Sequence, residues 1–203
     1  MKIALVGASG TVGSRILNEL LSRGHEVTGI VRHPENVRPR EGLAAKRGSV
    51  NDEDGMASLL AGHDAVISAI RYQWSDPRRL IAAIKKSGVQ RLLVVGGAGS
   101  LEVSPGVQLV DTPDFPEAYK AEALNARDFL NELRREQELD WTFLSPSAVF
   151  VPGERTGKYR LGMDQLLVNA NGESKISFED FAVALVDELE TPRHSRQRFT
   201  VGY

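Results

Sequence analysis

Three glycines, Gly7, Gly10 and Gly13, directly follow the apolar run Ile3 to Val6 and lead into a helical pattern. A strand, a glycine turn and a helix in that order can cradle a phosphate. The first glycine permits the tight turn, the second lets a diphosphate approach the backbone, and the third brings the helix close to the strand. Unpaired N–H groups of Thr11 and Val12 then point at the anion with the helix dipole behind them, and the hydroxyls of Ser9 and Thr11 add donors. The spacing, G-x-x-G-x-x-G, is one residue longer at its first step than the usual dinucleotide fingerprint. Glycines also end strands for steric reasons alone, so the rest of the chain has to support the reading.

The end of the next apolar segment, Thr28-Gly29-Ile30-Val31-Arg32-His33, does so. An acidic residue here would bind the adenine ribose of NAD. Val31 holds that place instead, and Arg32 follows with a planar, permanently charged fork suited to a 2′-phosphate. The sequence therefore predicts NADP in preference to NAD. Asp52, just after "RGSV", either meets the adenine base or caps the helix that starts near Glu53. His25, His33, His63 and His194 lack metal-ligand spacing, and there is no cysteine. No metal site is expected, and disulfides, thiolate ligands and cysteine nucleophiles are excluded.

The elements that must hold these residues follow from hydrophobic periodicity. Apolar runs over Lys2 to Val6, His25 to Val31, Ala44 to Val50, Asp64 to Ile70, Gln90 to Val95 and Trp141 to Leu144 read as strands buried on both faces. Between them Thr11 to Arg23 and Asp76 to Ser87 carry apolar stripes at helical spacing, with Gly24, Gly62 and Gly88 as stop signals. The alternation predicts an α/β doubly wound parallel sheet. Ser177-Phe178-Glu179-Asp180 resembles a capping box and predicts another helix. The stretch from Ser145 to Ile176, with Pro146, Pro152, Gly153, Gly157 and Gly162, reads as loops and short elements. "NELRREQELD" reads as the polar end of a helix burying Phe129, Leu130 and Leu133, a face that suits either a monomer or a homodimer.

With 203 residues, 41% of them hydrophobic, a single domain can bury its own core. A net charge of -2 gives no field that would draw nucleic acid or an anionic membrane. The expected partner is a small molecule. The chain opens in a strand rather than a leader pattern and carries no run long enough to span a bilayer, so a cytoplasmic protein is expected.

"GASGTVG", "GIVRHPENV", "RGSVNDED", "AVISAI", "RLLVVGGAGS", "LSPSAVFVPGERTGKYRLG" and "SKISFEDFAVALVDELE" together resemble the atypical short-chain dehydrogenase/reductases. The branch is that of the bacterial NADH-flavin reductases, biliverdin reductase B and the NmrA-like proteins. The resemblance spans almost the whole chain and implies a Rossmann fold. It implies that Gly7, Ser9, Gly10, Thr11, Val12 and Gly13 form the diphosphate turn and that Arg32 takes the 2′-phosphate. Ser68, Ala69 and Ile70 would pass beside the nicotinamide ribose. Gly96, Gly97, Ala98, Gly99 and Ser100 match the segment whose serine polarises a substrate carbonyl, and Pro146, Ser147, Ala148 and Val149 the turn that holds the nicotinamide carboxamide.

The chain departs from that family at one point. Ordinary members carry Tyr-x-x-x-Lys on one helical face, the lysine lowering the tyrosine pKa. Here Tyr119 is followed four residues later by Ala123, and Lys120 is a neighbour that faces elsewhere. Tyr119 and Ser100 are the candidates for catalysis, with packing and turn closure as their alternative roles. Hydride transfer to a flavin such as FMN or FAD needs no such dyad, because the reduced ring takes a proton from water or stays anionic. Tyr72, Trp74, Phe115 and Phe150 are aromatic candidates for its stacking surface, or packing residues. The expected function is an NAD(P)H-dependent reductase of a planar conjugated acceptor. The alternatives are a dinucleotide-sensing regulator of the NmrA-like kind and an epimerase or dehydratase acting on a nucleotide sugar.

Overall fold

Continuous apolar runs at the start of the chain become strands covered by helices, as their lack of alternation requires. The computed structural model describes residues 1–74 and 76–203, without the Trp74 side chain. These residues group into two compact units, Met1–Val94 with Glu136–Trp141, and Val95–Arg135 with Thr142–Tyr203.

The first unit runs β1 (Lys2–Val6), α1 (Thr11–Ser22), β2 (Glu26–Val31), β3 (Leu43–Arg47), α2 (Glu53–Leu60), β4 (Ala65–Ser68), α3 (Pro77–Ser87) and β5 (Arg91–Val95). The strands lie in the order β3-β2-β1-β4-β5 and every pair is parallel. The chain thus moves outward from β1 through β2 to β3, then returns to the other side of β1 with β4. That reversal is a topological switch point, where ligands of such sheets bind beyond the carboxyl ends of the strands.

Helix α1 buries Ile16, Leu17 and Leu20, each at 5% exposure or less. Burial of side chains of this kind stabilises by about 1.5–3 kcal/mol each. Gly24, with φ +79°, ends the helix as its spacing predicts. Asp76 caps α3 by accepting from the Arg78 amide at 2.9 Å. The third strand stops at Arg47, three residues short of the predicted Val50. The polar Gly48 to Asn51 segment is thereby released from the ladder.

The turn before the eighth strand is fixed by a carboxylate. Glu136 Oε1 accepts from the amides of Glu138 at 2.6 Å and Leu139 at 3.4 Å, and Oε2 lies 3.5 Å from Lys85 Nζ. Burial disfavours the charge, but the two amides and Lys85 outweigh it and hold the carboxyl below its ordinary pKa. A depressed folded-state pKa gives stability that is complete above the unfolded value and lost as pH falls through the folded one. Glu136→Ala is expected to cost about 1–2 kcal/mol at neutral pH. Urea titrations should show that difference shrinking in acid, and a difference that grows there would contradict the assignment.

The second unit contains β6 (Glu102–Ser104), β7 (Val107–Gln108), α4 (Glu117–Arg135), β8 (Asp140–Ser145), β9 (Val149–Val151), β10 (Arg160–Gly162), β11 (Lys175–Ser177), α5 (Phe178–Glu190) and β12 (Gln197–Gly202). Strand β12 runs parallel to β8 and antiparallel to β10, and β9 pairs with β11 in parallel. The short elements expected in the Ser145 to Ile176 stretch include three strands, each three residues long and paired at a distance, which periodicity cannot place. Helix α4 buries Phe129, Leu130 and Leu133 as expected. Among the described residues no helix is long and apolar enough to cross a membrane.

The capping box holds only in half. Ser177 Oγ accepts from the Asp180 amide at 3.0 Å, as predicted. The Asp180 carboxylate, fully buried, instead accepts from Thr156 Oγ1 at 2.6 Å, the Gly157 amide at 2.7 Å and the Tyr203 hydroxyl at 2.8 Å. It pins the 156–157 loop rather than closing the helix end on itself.

Candidate functional site

The turn after β1 is built by close contacts that exclude side chains. Gly7 has φ +91°, and a Cβ there would meet the Ala69 carbonyl oxygen at 2.7 Å. A Cβ on Gly13 would lie 2.0 Å from the Gly7 oxygen. The Gly7 amide continues the β-ladder to Ile30 O at 2.9 Å, and the Gly10 amide closes the turn on Gly7 O at 3.0 Å. The Ser14 amide then donates to Gly10 O at 2.8 Å. The amides of Thr11 and Val12, in the first turn of α1, have no preceding carbonyl to use. Gly10 supplies no side-chain cap, and the first turn holds no acidic residue. The positive end of the helix is left for an anion.

Beyond this turn lies a cavity of about 420 Å³. Its walls come from the carboxyl ends of four strands: Val6, Gly7, Ser9 and Gly10 after β1, Ile30 to Arg32 after β2, Gly48 to Asn51 after β3, and Ala69 to Arg71 after β4, with Met56 from α2. The structure thus brings together Gly7, Ser9, Gly10, Arg32, Ala69 and Ile70 from the sequence prediction. Ser68 is buried at 1% exposure at the end of β4, opposite Val6 in register.

Charge in the cavity has one sign. Among the described residues, Arg32 and Arg71 are the ionisable residues of its lining, and no carboxylate is among them. The nearby acids are engaged elsewhere. Glu35 pairs with His33 at 3.1 Å and with Arg47 at 3.6 Å. Its own amide, then the His33 ring, hold its carboxyl below the ordinary value. Asp52 accepts from the Gly55 amide at 3.0 Å, so of its two sequence-level roles the structure displays the helix cap. Its neighbour Asn51 reaches the cavity.

Ser49, Asn51 and Arg71 were not among the predicted site residues. The first two lay inside or beside an overlong strand prediction. Arg71 follows β4 in a segment whose only sequence signal is its distance past an apolar run.

The remaining predicted residues belong to the second unit. Ser100 is 4% exposed, and its Oγ accepts from Arg198 Nη1 at 3.3 Å. Arg198, itself 5% exposed, also donates to Ser145 Oγ at 3.4 Å and through Nε to Asp164 at 2.9 Å. The Ser100 hydroxyl therefore helps to satisfy a buried guanidinium. Burial pulls the Arg198 pKa down while Asp164 opposes the shift.

Ser147 donates to Val201 O at 2.9 Å, and the amides of Ala148 and Val149 donate to Ser174. The Pro146 to Val149 turn is thus tied on both sides, with Ala148 and Val149 exposed. Gly97 lies near Ala126, where a Cβ would approach that side chain to 3.2 Å. Arg160 donates to the backbone oxygens of Val168 and Tyr203.

Tyr119 is 65% exposed in the first turn of α4. Ala123, in the place of a dyad lysine, is 9% exposed and faces Gly99, on which a Cβ would stand 2.7 Å from the Ala123 methyl. The position is a helix contact with little room for a longer chain. Among the aromatic candidates Tyr72 is buried, Phe115 is half-buried, and Phe150 packs on Phe178 and Phe181 at 4.6 and 4.8 Å between ring centres. The Trp74 side chain lies outside the described residues.

Comparison with known proteins agrees with this geometry. The family described as NAD(P)H-binding matches residues 7–192. The Bacillus subtilis protein YwnB, itself uncharacterised, is 42% identical over 99% of this chain and 98% of its own length. Two solved structures are each 47% identical over the full chain. One, from Burkholderia pseudomallei, is provisionally described as exported (TM-score 0.91, all of that chain covered), and the other, from Bacteroides thetaiotaomicron, is provisionally named an epimerase (0.94, 96% covered). A Streptococcus pneumoniae structure provisionally named an NADH-flavin reductase is 38% identical over the full chain and 99% of its own, with a TM-score of 0.86.

Proposed function

Because the chain belongs to the NAD(P)H-binding Rossmann family, we propose that it is an NADPH-dependent reductase of flavin or a similar planar conjugated acceptor. The observation that carries the reading is a cavity at the glycine turn, rimmed by Arg32, in a chain whose dyad position is filled by Ala123. NADPH, when bound, supplies a hydride.

The chain's own residues bind and orient. Gly7 and Gly10 keep the turn free of side chains, and the amides of Thr11 and Val12 face the diphosphate. Arg32 meets the 2′-phosphate, and Ile30, Val50 and Met56 offer an apolar wall for the adenine ring. Proximity on a dry surface suffices for hydride transfer between two flat rings, since the acceptor needs no acid from the protein.

The name of the Streptococcus pneumoniae relative supports this reading. The epimerase name of the Bacteroides relative fits these residues less well, because sugar epimerases of this fold draw on a tyrosine with a lysine four residues on, and here Tyr119 is followed at that spacing by Ala123. Purified protein mixed with NADPH and FMN is expected to bleach the nicotinamide absorbance well above the uncatalysed rate. Tight binding of both oxidised and reduced cofactor with no turnover across flavins and quinones would overturn the proposal and point to a dinucleotide-sensing regulator.

A further inference from the structure

We infer that the Asn51 side chain recognises the 6-amino group of the adenine base, so that the cavity takes an adenine dinucleotide in preference to its hypoxanthine counterpart. The inference rests on the dinucleotide reading above and deepens it.

The segment after β3 is placed by contacts with the neighbouring elements. The Gly48 N–H donates to Val31 O at 3.0 Å. A Cβ on Gly48 would meet Ile30 Cγ2 at 2.6 Å, with Met56 Cε 3.6 Å away. The chain therefore leaves the strand hard against the apolar wall. Beyond Gly48 the turn closes on itself. The backbone N–H of Asn51 donates to Ser49 Oγ at 3.3 Å, and that of Asp52 to Ser49 O at 3.0 Å. From α3, Arg79 Nη1 donates to Asn51 O at 3.0 Å.

These bonds hold the Asn51 backbone and leave its side chain out. Asp52, next in the chain, turns its carboxylate to the Gly55 N–H at 3.0 Å as the cap of α2. Among the described residues the Asn51 carboxamide makes no hydrogen bond, and Asn51 lines the cavity together with Ile30, Val31, Val50 and Met56. An exposed carboxamide beside an apolar wall offers one acceptor and two donors.

A flat ring laid on that wall presents an edge to the carboxamide, and the edge decides the outcome. Adenine carries an amine donor beside the N7 acceptor, the complement of a carboxamide oxygen and its NH2. Hypoxanthine carries two acceptors there, an oxygen and N7. The carboxamide oxygen then meets an acceptor whichever way the group is turned, which costs the pair a hydrogen bond. This recognition is neutral, so it is separable from the charge that Arg32 offers a 2′-phosphate.

The test is binding, read by isothermal titration calorimetry with NADP⁺ and with nicotinamide hypoxanthine dinucleotide phosphate. Wild-type protein is expected to bind NADP⁺ about tenfold more tightly. Asn51→Ala keeps the backbone bonds of the turn and should bring that ratio near one by weakening NADP⁺ alone. Asn51→Asp keeps an acceptor for the amine and should retain the preference. A ratio near one in the wild type, or an Asn51→Ala protein that loses both cofactors equally, overturns the inference. Binding of neither cofactor overturns it together with the dinucleotide reading. A tenfold preference without NADPH oxidation would instead sink the reductase reading and leave the role of Asn51 standing.

Discussion

Arg32→Ala is expected to weaken NADPH binding by about 10- to 100-fold while changing NADH binding by no more than about threefold. The physical basis is the one-sided charge at the end of β2. Arg32 lines the cavity, Val31 stands where a ribose-binding carboxylate would, and Glu35 is held by His33 and Arg47. A 2′-phosphate reaching this rim gains a charge-assisted pair of hydrogen bonds, worth about 1.5–3 kcal/mol. NADH has a hydroxyl there and loses little. Titration of nicotinamide fluorescence with both cofactors measures the ratio. Equal losses for the two would make Arg32 a structural residue and remove the argument for NADPH.

Gly13→Ala should be still more damaging, because the added methyl meets backbone rather than a side chain that can turn away. The built Cβ lies 2.0 Å from the Gly7 oxygen, so α1 has to move off β1 or the turn has to open. Overpacking against rigid neighbours costs about 1–3 kcal/mol and more where nothing yields. Either movement displaces the amides of Thr11 and Val12, which the proposed reading sets against the diphosphate. The variant is expected to melt at a lower temperature and to lack the rise in Tm expected of the wild-type protein with NADPH. A variant that NADPH stabilises as much as wild type would show that this contact does not set the cradle.

Legibility of the site in the sequence followed the range of the interactions that build it. The β1 turn is local: strand, glycines and helix are contiguous, and their spacing carries the steric information. Arg32 was readable for the same reason, since it ends the next strand. Arg71 and Asn51 were not, because nothing local distinguishes a residue that lines a cavity from one that leaves a strand into solvent.

Strand β12 escaped periodicity altogether. Its buried run contains Arg198 and Thr200, polar residues tolerated because Asp164, Ser100 and Ser145 satisfy the guanidinium and Ser145 O takes the Thr200 hydroxyl. Asp180 shows the same limit from the other side. Its position in a capping box was legible, but its carboxylate serves Thr156, Gly157 and Tyr203, which only the folded chain brings near.

The contact between Ala123 and Gly99 bears on how this chain can change over time. A lysine at position 123 would restore the spacing of a carbonyl-reducing dyad, yet the helix is seated on Gly99 so closely that a lysine stem has no ready exit. Recovering that chemistry therefore asks for a shift of α4 together with a new residue, and either change alone brings loss before benefit. The small-residue seam thus places two coupled changes, rather than one, between this chain and a Tyr-x-x-x-Lys dyad.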